Sequence, residues 1–178
     1  MIVTGASGGV GTLAIALLAA SGRPVTASTS DPDGGRDFLI RLGAGDVIDR
    51  RELQVEGRPL QSQRWAGAID TVGGSTLATL LAQTRYGGAV AACGLIESGE
   101  LATTVMPFIL RGVSLLGINS VEAPPDLRAA VWDRIERDLD LDLLDELIVE
   151  IPLAAVTDVA ARMLAGGSRG RTVVAVPH

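Results

Sequence analysis

The sequence predicts an α/β protein built on a doubly wound parallel sheet. Three observations predict it. Strand-like and helix-like runs alternate through the first two-thirds of the 178 residues. Apolar residues make up 47% of the chain and aromatics only 3%, so the core has to come from Val, Ile, Leu and Ala, as in a parallel sheet covered on both faces. Glycines stand where helix signals end and where the first strand signal gives way to a helix.

The elements follow in order. Ile2–Thr4 is apolar and β-branched and reads as a strand. Residues 9–21 form a helix stopped by Gly22. Its apolar residues fall on nearly every face, which predicts burial on several sides rather than along one stripe. Val25–Thr29 is the next strand. Gly35–Leu42 is a helix stopped by Gly43, and Asp46–Asp49 is a short strand. Residues 50–64 are polar and irregular. Ala66–Val72 is a strand, and residues 75–85 form a helix that Ser75 is placed to cap. Gly88–Cys93 is a strand, residues 94–107 a loop, and Val113–Ile118 a strand at the expected sheet edge. Pro125–Leu139 is a helix with proline in its first turn. The character then changes: strand 148–153, helix 154–165, the turn Gly166–Gly170 and strand 172–176 make a strand–helix–strand tail. The expected organisation is a nucleotide-binding unit over 1–147 and this tail over 148–178.

Composition excludes several functions. The net charge is −6, so no nucleic-acid footprint is expected. All 15 basic residues are arginines. There is one cysteine, Cys93, and one histidine, His178, which excludes a Cys/His zinc site and a disulfide within the chain. The apolar stretch over 12–20 is too short for a membrane span, and it follows a glycine loop rather than a basic leader. The expectation is a soluble cytoplasmic protein with no membrane partner.

The motif that points to a function is Gly5-Ala6-Ser7-Gly8-Gly9-Val10-Gly11, set between the first strand and the first helix. Glycine lets the backbone approach phosphate oxygens, and the helix start offers unpaired N–H groups at a positive dipole end. The second strand completes a βαβ unit, the context that a dinucleotide-binding fingerprint requires. Ser7, Gly8, Gly9 and Val10 are the expected pyrophosphate contacts. A tight turn serving packing alone is the competing reading. A P-loop is excluded, because Gly11 is followed by Thr12 and the chain has no lysine.

Other candidates sit at carboxyl strand ends, where ligands bind in such sheets. Thr29 and Ser30 end the second strand, where the adenosine ribose is read; hydroxyls there admit a 2′-phosphate. Asp31 either reads a 2′-hydroxyl or forms a turn beside Pro32. Thr71 and Val72 either line the cofactor groove or make a plain strand–helix turn. Gly94 and Leu95 end the next strand, where Gly94 lets the backbone approach the nicotinamide ribose. Cys93 reads as a small core residue rather than a nucleophile, since no histidine or lysine is near it in sequence. Tyr86, Trp65 and Trp132 read as packing residues, and Arg111 as solvated surface.

The chain resembles the medium-chain dehydrogenase/reductase superfamily in its zinc-free, quinone-oxidoreductase-like branch, most of all the acryloyl-CoA reductase group. The resemblance is carried by residues 3–11, by Arg41-Leu42-Gly43-Ala44, by residues 65–73 and 86–95, by residues 103–113 and by Gly170-Arg171-Thr172-Val173-Val174. It implies a Rossmann fold and NADPH-dependent reduction of a carbon–carbon double bond conjugated to a carbonyl, as in acryloyl-CoA, or of a quinone. It also implies NADPH in preference to NADH, Asn119 near the nicotinamide, and a homodimer through strand 113–118. The arginine that the family carries after the second strand is out of register here, and Arg36 or Arg41 is the expected replacement. The resemblance implies that this chain is the cofactor-binding half, since it opens on the first strand where the family has an N-terminal catalytic domain before it. The tail over 148–178 would then have lost the surface on which it packs. The competing reading is a non-catalytic dinucleotide-binding or redox-sensing module. A short-chain reductase is disfavoured by the missing lysine.

Overall fold

The computed structural model describes residues 1–55 and 57–176. Six parallel strands form one sheet: β1 (Ile2–Val3), β2 (Thr26–Thr29), β3 (Asp46–Asp49), β4 (Trp65–Asp70), β5 (Thr84–Ala92) and β6 (Ser114–Gly117). Their order is β3-β2-β1-β4-β5-β6. The order reverses between β1 and β4, and that switch point opens a crevice at the carboxyl edge. This is the expected doubly wound Rossmann sheet.

Helix α1 (Gly9–Ala20) follows β1, α2 (Arg36–Arg41) follows β2 and α3 (Gly74–Gln83) follows β4. Each returns the chain to the opposite edge, as right-handed parallel crossovers require. Two cores result. Val3, Ile15, Ala27, Leu39 and Val47 fill one face under α1 and α2. Ile2, Leu53, Trp65, Leu80 and Val90 fill the other, against α3. Alternate residues of one strand, Ile2 and Val3, therefore serve opposite cores. Helix α1 is buried at Ala14, Ile15 and Ala16, while Val10 stays half exposed beside α5 (Pro125–Asp138). With Leu13 and Leu18 also packed against the core, the helix is covered on several sides, as expected.

Several boundaries differ from expectation, each for a tertiary reason. Helix α3 begins at Gly74 and is preceded by Gly73 at φ 76°, so Ser75 is not its cap. The carboxylate of Glu97, brought in by the loop after β5, accepts from the Ser75 N–H at 3.1 Å instead. The helix ends at Gln83 and the chain enters β5 directly at Thr84, whose hydroxyl donates to the Leu80 carbonyl at 2.7 Å. Two short helices arise where none was expected: α4 (Met106–Arg111), closed by Gly112 in the left-handed region, and α6 (Leu141–Leu147), capped by Asp140. The tail forms β7 (Ile148–Pro152), α7 (Val156–Leu164) and β8 (Arg171–Ala175), with β7 and β8 paired in a separate two-stranded parallel sheet. His178 lies outside the described residues.

Some packing expectations fail. Tyr86 is 79% exposed and Trp132 60% exposed. Tyr86 sits in the bulged stretch of β5 between its pairings with Trp65 and Gly67, and α5 buries no residue. Trp65 is buried, donating its indole N–H to Gln83 Oε1 at 2.9 Å. Arg111 is no solvated side chain. Its guanidinium donates to the Gln61 carbonyl at 2.7 Å and the Ala82 carbonyl at 2.8 Å, tying loop, α3 and α4 together. No helix of the described residues is long and apolar enough to cross a membrane.

Candidate dinucleotide cleft

The glycine loop bends back on itself, with the Gly8 N–H donating to the Gly5 carbonyl at 3.0 Å. Gly8 is then extended (φ −81°, ψ 169°) and caps α1 with no side-chain bond and no acidic residue in the first turn. The positive end of this helix of 12 residues is therefore left uncompensated. Gly5 sits at φ 56° facing the Thr71 side chain, and Gly11 lies against the Gly5 and Ala6 backbone. A side chain at either position would push loop and helix apart.

A cleft of about 420 Å³ opens at this point. Ser7, Gly8, Thr29, Ser30 and Val72 line it. The Ser7 and Thr29 hydroxyls share a hydrogen bond at 3.3 Å. The Asp31 carboxylate accepts from the Gly34 N–H at 3.0 Å and from the Arg169 guanidinium at 2.9 Å. It therefore forms a turn and anchors the tail.

Sequence proximity misleads for the two arginines. Arg36 turns down to the start of β3, meeting the Val47 carbonyl at 3.4 Å and Asp46 at 3.8 Å. Arg41, on the last turn of α2, pairs with Glu146 at 3.2 Å. Helix α2 runs away from the carboxyl edge and carries both off. The cation on the cleft wall is Arg50, just past the end of β3. Reading 50–64 as irregular hid it, although the strand-end rule that selects Thr29 applies equally to β3. A second cation, Arg171, comes from the tail and packs over Gly9. Beside it the Gly170 N–H donates to the Ser7 carbonyl at 2.9 Å, and Ser168 reaches the cleft.

At the switch point Asp70 is fully buried. It accepts from the Thr4 hydroxyl at 2.6 Å, the Gly73 N–H at 2.9 Å and the Val72 N–H at 3.3 Å. Burial pushes its pKa up, against those hydrogen bonds. The Thr71 side chain is turned inward, its hydroxyl donating to the Thr4 carbonyl at 3.1 Å, so only Val72 of this pair faces the cleft.

Cys93, Gly94, Leu95 and Asn119 come together in a second groove at the ends of β5 and β6. Cys93 is exposed rather than a core residue. Desolvation and the neighbouring Asp70 carboxyl raise its pKa, which keeps the thiol protonated and unreactive. Asn119 spends its side chain on its own turn, accepting from the Val121 N–H at 3.0 Å and donating to Glu122 at 3.1 Å.

The arrangement suits a diphosphate on the α1 end, a ribose at Thr29 and Ser30, and a further phosphate at Arg50. The family model for zinc-binding dehydrogenases matches residues 9–137. The probable acrylyl-CoA reductase of Escherichia coli is 48% identical over 176 residues, covering 99% of this chain and 54% of that protein. A crystal structure of an oxidoreductase from Salmonella enterica in complex with NADP superposes with a TM-score of 0.94 at 46% identity, covering 99% and 54%. The putative quinone oxidoreductase of Bacillus subtilis is 45% identical over 98% of this chain and 53% of its own length. Its structure with NAD bound gives a TM-score of 0.91. The chain spans about half the length of these curated relatives.

Proposed function

The chain belongs to the zinc-binding dehydrogenase family, and on that footing we propose that it holds NADPH for the reduction of an α,β-unsaturated carbonyl such as an acryloyl thioester, or of a quinone. The observation that carries the reading is the uncompensated start of α1, facing a cleft with Arg50 on one wall and Arg171 over the loop. The names and bound nucleotides of the relatives support it. Bound reduced nicotinamide supplies a hydride for the β-carbon, and a proton adds at the α-carbon. This chain's residues bind and orient. The amides of Ser7, Gly8, Gly9 and Val10 hold the diphosphate with Arg171, Thr29 and Ser30 meet the ribose with Arg50, and the Cys93–Leu95 backbone borders the nicotinamide end.

The family name carries zinc, but this chain has one cysteine and one histidine. Among the described residues no three His, Cys, Asp or Glu side chains are grouped to hold a metal. The donor set does not fit zinc, and no step here passes through one.

Arg50 tests the choice of coenzyme. Its guanidinium is placed to meet a 2′-phosphate, which NADH lacks. Arg50→Ala is expected to weaken NADPH binding about tenfold and leave NADH unchanged in calorimetric titrations, the loss of a charge-assisted contact. Tighter binding of NADH by the unaltered chain would overturn the NADPH reading.

We also assign residues 1–147 to the nucleotide-binding unit and 148–178 to a segment that packs on a catalytic domain of the longer protein. A two-stranded parallel sheet is marginal unless its faces are covered, and Val149 and Val173 stay exposed on β7 and β8. Turnover then belongs to the longer protein, in the cytoplasm, where a lone cysteine stays reduced.

Strand β6 is the sheet edge. Val113 is buried, whereas Leu116 is 49% exposed and Ile118 52% exposed. An unpaired edge with exposed apolar residues is a template for a second copy. A homodimer through β6 is expected by light scattering at micromolar concentration, and a monomer there would refute it.

A further inference from the structure

One wall of the cleft is polar and densely hydrogen-bonded. Gln54 lines it, one turn past Arg50. The Gln54 amide nitrogen donates to Glu97 Oε2 at 3.2 Å. Glu97 is itself saturated. Its Oε1 accepts from the Ser75 N–H at 3.1 Å and the Ser75 hydroxyl at 2.6 Å, and its Oε2 accepts from the Thr76 hydroxyl at 2.8 Å. Burial alone would raise this carboxyl, but the bonds from Ser75, Thr76 and Gln54 win and bring it to about 2. At neutral pH it is an obligate acceptor.

An obligate acceptor fixes which end of a neighbouring amide it meets. The Gln54 nitrogen has to face Glu97, so the Gln54 oxygen is turned the other way. Among the described residues no donor reaches that oxygen. Val72 and Ile96 flank the same space, and Ile96 is 78% exposed. Ser28, also on the cleft and 1% exposed, carries the one buried side-chain oxygen that has no partner among the described residues. Val72 and Ile96 form one apolar side, their segments joined where the Glu97 N–H donates to the Val72 carbonyl at 2.8 Å, and with the unpaired Gln54 acceptor beside it this surface suits a flat heterocycle that carries a donor.

We propose that Gln54 is a specificity-determining residue for the purine base, its amide oxygen accepting a hydrogen bond from the 6-amino group of adenine, with Glu97 as the positioning residue that holds the amide in that orientation. The inference rests on the reading of this cleft as a dinucleotide site. Replacing the amino group by a 6-oxo group sets acceptor against acceptor, and a site built for a donor rejects an analogue that lacks it. Glu97 acts only through Gln54.

The test uses the unaltered chain with NADPH and with its deaminated analogue, reduced nicotinamide hypoxanthine dinucleotide phosphate, each titrated by fluorescence. NADPH is expected to bind about tenfold more tightly. Gln54→Leu is expected to bring the two within about twofold, through weaker binding of NADPH alone. Glu97→Gln frees the Gln54 amide to turn over and is expected to shrink the ratio in the same way. A merely structural role for either side chain would weaken both nucleotides equally and keep the ratio, which overturns the proposal. Equal affinities in the unaltered chain overturn it as well, with the site reading intact. If NADPH does not bind at all, the site reading falls, and this inference falls with it.

Discussion

Gly11→Val is expected to abolish dinucleotide binding, raising the dissociation constant by about a hundredfold or more, and to cost about 2 kcal/mol of stability. The reason is backbone against backbone. A β-carbon at position 11 would sit 2.8 Å from the Ala6 α-carbon and 2.9 Å from the Gly5 carbonyl carbon. Neither atom belongs to a side chain that can rotate away. Gly5 is already held at φ 56° against Thr71, so the loop has no slack on its other side. The relief is a separation of loop and helix, and it takes the amides of Ser7–Val10 out of aim. Gly99→Ala is the internal control: a β-carbon there has nothing within 4 Å, and a change within about 0.5 kcal/mol is expected. Thermal melts and calorimetry on the two variants decide the matter. A Gly11→Val chain that binds NADPH normally would remove the close approach from the mechanism.

Asp70→Ala is expected to cost about 3 kcal/mol, because it strands the Thr4 hydroxyl and the Val72 and Gly73 N–H groups in the interior at once. This carboxylate ties the end of β1 to the turn after β4, at the place where the strand order reverses. Asp70→Asn keeps the shape but sets an NH2 group against an N–H, and its deficit depends on pH with a definite sign. The folded chain holds the Asp70 pKa above its ordinary value through burial. A raised carboxyl contributes stability that is present below the unfolded pKa and lost as pH rises through the folded one. The gap between the unaltered chain and Asp70→Asn should therefore widen as pH falls from 7 toward 4.5 in urea titrations. Glu97, lowered to about 2, works the other way and loses its contribution only in stronger acid. A gap that narrows over this interval would show that burial does not dominate at Asp70.

The sheet was legible because its punctuation is local. Gly22 and Gly43 stop helices, and the loop at 5–11 joins strand to helix within a few residues. What was not legible lies in groups that meet only in three dimensions. Ser75 looks like a cap, but Glu97, 22 positions on, takes the helix start. Arg36 and Arg41 follow β2 in sequence, yet the reversed direction of α2 carries them to the other side. Arg50 and Gln54 come to the cleft from beyond β3 and Ser168 from the tail, while Arg171 packs over Gly9. No short-range signal joins them to the glycine loop. Helix α6 carries no glycine or proline, and only the Asp140 cap marks its start.

One crystal structure of the chain with NADPH tests the central claim most directly. The diphosphate should lie on the main-chain amides of Ser7–Val10, with Arg50 at the 2′-phosphate. Nucleotide density elsewhere, or a cleft that stays empty at saturating NADPH, would contradict it.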